Sequence, residues 1–155
     1  MAITSAVCSS FKQELLQGKH SFDTSGNSGD TFKIALFTSS ASLGAATTDY
    51  STSNEITNTS GSAYSAGGLA LTGQSVTGST SASTAYVDFS NDPQWTSASF
   101  TANGAMIYNT TTDGGSGTTD AVCILAFGSD FTATNGTFTV QFPAPGTSTA
   151  ILRLS

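Results

Sequence analysis

Charge is scarce in this 155-residue chain. Four Lys and Arg, ten Asp and Glu and one His leave 9% of residues charged and a formal net charge of −6. A globular surface usually draws on about 25% charged residues, so hydroxyl groups must carry most of the contact with water here. Four cations and no basic run leave nothing to neutralise phosphates, which argues against nucleic acid and against an anionic membrane surface as partners. Long apolar runs are missing too: none approaches the roughly 18 residues of a membrane span. No basic stretch followed by an apolar one opens the chain, so no export signal is expected.

Cysteine and histidine are as rare as charge. Cys8 and Cys123 lie too far apart for zinc-type or C-x-x-C spacing. Cys123, inside Ala121-Val122-Cys123-Ile124-Leu125-Ala126-Phe127, reads as a small buried hydrophobe, and Cys8 as a packed thiol. Without export the chain stays in a reducing compartment, where a Cys8–Cys123 disulfide is not expected. His20 lies in the polar, turn-like stretch 17–21 with no second imidazole nearby, and reads as a solvated loop histidine. A serine nucleophile would need that histidine as its base, and no Gly-x-Ser-x-Gly elbow is present. A two-carboxylate glycosidase is harder to exclude, with Glu14, Glu55 and eight Asp, but stands well behind because turn-forming Asp is the ordinary reading, so no enzyme is expected. Asp23, Asp30, Asp49, Asp92, Asp113, Asp120 and Asp130 sit in turns, where carboxylates bond backbone amides. Asp113 and Asp120 bracket a glycine-rich bend and are weak calcium candidates, but the ligand series of a calcium loop is incomplete. No metal or cofactor is expected.

What is abundant is hydroxyl: 25 Ser and 26 Thr make up a third of the chain. Disorder does not follow, because 37% of residues are hydrophobic and 10% aromatic, with ten Phe gathered in short runs. Ile3, Val7, Phe11 and Leu15 recur every four positions and predict an amphipathic helix over 3–17, capped by Thr4 or Ser5 and ended by Gly18. Residues 1–22 are therefore expected as a helix and linker, packed on the domain or docked on a partner, with packing favoured. From residue 23 onward the period becomes two. Strands are predicted at 32–37, 69–71, 85–89, around 98–100, and at 105–108, 121–127, 138–142 and 150–154. Turn residues separate them, including Asn103-Gly104 as a tight hairpin, Asp113 to Gly117, and Asn135-Gly136. The run 121–127 is apolar on both faces and needs a cover, either the N-terminal helix or another subunit. Residues 39–67 form a long hydroxyl-rich loop with room for a short strand near Glu55-Ile56-Thr57. With no space for crossover helices, the expected fold is all-β: an antiparallel sandwich or jelly roll of about eight strands over 23–155, with one N-terminal helix. Trp95 with Tyr50, Tyr64, Tyr86 and Tyr108 would make either a sugar-binding platform or core anchors, the latter favoured.

Several stretches, taken in order, resemble small virion proteins of tailed bacteriophages. They are Phe32 to Thr38, Tyr50 with Asn54-Glu55-Ile56, Tyr64 to Gly73, Ala85 to Phe89, Trp95-Thr96, Gly104 to Asn109, Leu125 to Gly128, and Phe138 to Pro143. The resemblance is to capsid cement or decoration proteins, and it covers most of the chain from residue 30. It implies a β-sandwich homo-oligomer, dimer or trimer, on the outside of the capsid, made in the host cytoplasm, with the major capsid protein as partner and no catalytic residue. Ile3, Val7, Phe11, Leu15, Tyr50, Tyr64 and Trp95 are the candidate contact residues. The competing reading is a tail-fibre adhesin or carbohydrate-binding module.

Overall fold

A computed structural model describes residues 2–23, 29–57, 62–79, 81–111 and 118–155. In chain order these hold β1 (Ala6–Val7), α1 (Ser9–Leu16), β2 (Phe32–Phe37), β3 (Leu69–Ala70), β4 (Ser75–Ser79), β5 (Thr84–Asp88), β6 (Gln94–Asn109), β7 (Ala121–Thr139) and β8 (Leu152–Leu154). The fold is an all-β sandwich with one short helix. Five strands pair in the order β1-β7-β6-β2-β3 and three in the order β4-β5-β8, antiparallel throughout.

β2 sits inside the larger sheet with β6 on one side and β3 on the other, and all its residues but Lys33 are buried. β6 and β7 are 16 and 19 residues long, because each runs through a dipeptide expected to turn. Gly104 is paired with Phe37 and Ala126 rather than turning. It serves close approach: a Cβ there would come within 2.8 Å of both the Ile3 side chain and the Leu125 carbonyl. At Asn135-Gly136 the strand bulges instead of reversing. Asn135 takes the left-handed conformation (φ 47°), which asparagine tolerates, and the register shifts between Ala98 and Phe100 on β6. The bend at 113–117 lies outside the described residues.

The predicted helix over 3–17 is shorter than expected. A spacing of four is even, so Ile3 and Val7 share a face in a strand as readily as in a helix. Backbone pairing decides in favour of the strand: Val7 is paired with Cys123, the Cys8 amide donates to the Val122 carbonyl (2.9 Å), and Ile3 bridges Leu43. Cys8, not Thr4 or Ser5, holds the N-cap position and makes no side-chain cap bond. Gly18 (φ +73°) follows the C-cap as expected. The N-terminal segment is thus an edge of the larger sheet, and α1 packs on β7, where Ala121 to Ile124 are buried.

Near Glu55 the expected strand reduces to one bridge with Phe37 and a bond from the Ile56 amide to the Leu36 carbonyl (2.9 Å). β4 has only one large apolar residue, Val76, and gave no sequence signal. Two aromatic chains knit the core. One runs Phe11, Phe22, Phe32, Phe89, Phe142, with Phe22 and Phe32 stacked at 4.5 Å. The other gathers Tyr64, Trp95, Phe100 and Phe138.

Candidate functional site

Two consecutive leucines on an eight-residue helix point about 100° apart, so one packs and the other cannot. Leu15 is half-buried and Leu16 is 91% exposed. Between α1 and the β4-β5-β8 sheet lies an open apolar groove of about 590 Å³. Phe11, Val87 and Leu152 contribute to its walls. Leu16, Val76 (55% exposed) and Leu154 (62% exposed) line it from more exposed positions. Exposed apolar clusters of this kind mark interaction sites. Lys12 lines the groove from the helix and Arg153 from β8, where its guanidinium donates to the Thr147 carbonyl (2.8 Å). A second, shallower cavity of about 440 Å³ runs along β7 beside Phe127, Phe138 and the exposed Phe131.

His20, expected as a solvated loop residue, is buried against Phe11 (ring centroids 4.9 Å apart) and also lines the groove. Its place is fixed by a residue 89 positions away. The Asn109 amide nitrogen donates to His20 Nδ1 (2.9 Å) and Asp30 Oδ2 (2.6 Å), while its oxygen accepts the Thr111 amide (2.8 Å). Turning the amide over would set its oxygen against the Asp30 carboxylate and its NH2 against the Thr111 N–H, so the orientation is unique. His20 Nδ1 is therefore an acceptor, the ring proton sits on Nε2, and Nε2 donates to Glu14 Oε2 (3.0 Å). Asp120 joins this pair, with the ligand atoms of Glu14, His20 and Asp120 within 4.8 Å of one another. As the ring is placed, its Nε2 faces Glu14 and its Nδ1 faces Asn109, so both ring nitrogens already have protein partners. Asp120 also bridges Asp49. Asp113, the other calcium candidate, lies outside the described residues.

A second polar cluster surrounds Glu55, which is buried. Its carboxylate accepts the hydroxyls of Tyr50 and Tyr64 and the Gly67 amide, each at 2.7 Å. The Tyr64 hydroxyl also accepts the Leu36 amide (2.9 Å), and Tyr108 donates to the Gly67 carbonyl (2.8 Å). Burial, with the Glu55 charge adding to it, pushes the Tyr108 phenol up to about 12 and raises Tyr50 and Tyr64 further. These bonds clamp the 39–67 loop onto β2, a structural task. Burial likewise raises the Cys8 thiol to about 11 and the Cys123 thiol beyond that, and both cysteines are free. Neither is set up as a nucleophile.

Of the sequence-derived contact residues, Val7, Phe11 and Leu15 come together on the groove. Ile3 packs half-buried by Gly104, and Tyr50 stacks on Tyr108 (4.3 Å). Tyr64 and Trp95 are 1% and 3% exposed, as core anchors. The sequence reading missed Lys12, Leu16, Val76, Arg153 and Leu154 in the groove, and Glu55 and Asn109 in the clusters. The Leu15-Leu16 pair was the available signal for the groove. Comparison with family models, with curated proteins and with solved structures returns no match.

Proposed function

We propose that this protein is a structural component of a bacteriophage virion that docks on the outer face of the major capsid shell and cements it. The carrying observation is the open groove between α1 and the small sheet, where Leu16, Val76 and Leu154 stand exposed on an otherwise hydroxyl-rich molecule. The strand-and-turn likeness to phage decoration proteins supports the same reading. Ser and Thr lose less rotamer freedom on burial than Lys does, which suits a surface destined for permanent contact. A protein that binds assembled shell subunits and not separated ones stabilises the assembly by mass action, and a dimer or trimer engaging several subunits adds avidity.

Copy number tests the proposal. Quantitative mass spectrometry of purified particles is expected to find the protein in numbers commensurate with the shell subunits. A handful per particle would move it to the tail or neck, and absence from particles would end the virion reading. The sugar-binding alternative loses Trp95 and Tyr64, which face the core, and keeps Tyr86, which lines the groove; a glycan screen that stays blank with and without calcium would remove it.

A further inference from the structure

We propose that the occupant of the groove is an apolar segment of the shell protein flanked by carboxylates, with Lys12 and Arg153 receiving them. This rests on the docking reading above and adds the chemistry of the partner.

The molecule carries −6 overall on only four cations, and two of those four, Lys12 and Arg153, line this one groove from different elements. Asp23 is the single carboxylate among the lining residues, so two cations less one anion leave the lining at +1. His20 presents its ring to the groove, with both nitrogens held by Glu14 and Asn109. An acidic protein has thus placed two of its four cations around an apolar opening. The complementary surface is apolar in the middle and anionic at the edge.

Charge also separates the candidate occupants. If a second copy inserted its own α1, Lys12 of that helix would bring a cation to a groove already lined by Lys12 and Arg153, while the one carboxylate of that helix, Glu14, is already held by His20. A small amphiphile would fill the cavity but leave Leu16, at 91% exposure, and Leu154, at 62%, largely in water. A polypeptide segment covers both the cavity and these side chains, and its carboxylates reach the two cations.

The test uses particles from a phage lacking this gene, to which purified full-length protein is added back. Wild type is expected to bind. Lys12→Glu with Arg153→Glu, and separately Leu16→Asp with Leu154→Asp, should each bind at least about tenfold more weakly. All four positions are exposed, so thermal unfolding of both variants should match wild type; Lys12→Gln alone is a milder variant expected to lose severalfold. Zero-length carbodiimide coupling, which joins an amine to a carboxylate, should link Lys12 to an Asp or Glu of the shell protein. Unchanged binding of the folded variants, or coupling through Lys33 in place of Lys12, would overturn the groove assignment and leave capsid docking standing. Wild type that fails to bind bare particles would overturn docking itself, and the groove assignment with it.

Discussion

Asn109 holds three neighbours at once, and each of its amide atoms is used. Replacing it with aspartate removes both donors and sets a carboxylate against the Asp30 carboxylate, where the bond is now 2.6 Å. Asn109→Asp is therefore expected to cost on the order of 3 kcal/mol at neutral pH, read by urea unfolding, because two buried acceptors lose their donor as well. An unchanged midpoint would show that the cluster orders nothing. None of this was legible in the sequence. His20 sits among polar, turn-forming neighbours, and it is the long-range pairing of β2 with β6, setting Asn109 opposite Phe32, that brings Asn109 beside Asp30 and His20. Glu55 was harder still to read, as one acid in a hydroxyl-rich loop, though its partners Tyr50 and Tyr64 are close in the chain. Trp95, read both as an anchor and as a candidate contact residue, is packed in the core, as are the two cysteines.

At the level of elements, alternation proved a good guide to strands and dipeptides a poor guide to turns. β2 and β5 lie where period-two patterning puts them. Asn103-Gly104 and Asn135-Gly136 carry hairpin chemistry, yet the first meets Ile3 at close range and the second forms a bulge. Local turn preference yields there to packing against neighbours that the local sequence does not identify. The N-terminal segment shows the same competition: its apolar spacing fits both periods, and pairing with β7 decides. Removing residues 1–18 should consequently unfold the domain rather than free an otherwise intact one. The deletion exposes Val122 and Cys123, which β1 and α1 now cover, and removes Phe11 from the aromatic core. Circular dichroism with a thermal melt checks this; a cooperative transition at the wild-type temperature would mean that the segment is a dispensable arm.

For the whole molecule, the shortage of charge shapes the response to pH. The clear shifts found among the described residues belong to thiols and phenols, raised chiefly by burial. Cys8 moves from 9.0 to about 11 and Tyr108 from 10.0 to about 12. In both, the folded state holds the proton more tightly than the unfolded chain does. Their contribution to stability is complete below pH 9, declines as the unfolded chain begins to ionise, and is lost as pH rises through 11 and 12. Denaturant midpoints should accordingly be flat from pH 7 to 9 and fall steeply above 10, with phenolate absorbance of the buried tyrosines rising together with unfolding. Tyrosine ionisation well before unfolding would contradict the Glu55 clamp.

The pairing of β1 with β7 also bears on how the chain is made. Ala6 finds its partner at Ile124, 118 positions later. At about 5–20 residues per second, ribosomes need roughly 6–25 s to reach that partner. For that interval the beginning of the chain has no edge to join, and its edge of the larger sheet closes only once β7 has been made. High contact order of this kind makes for slow folding. The N-terminal edge strand is therefore among the last parts of the sheet to find its place.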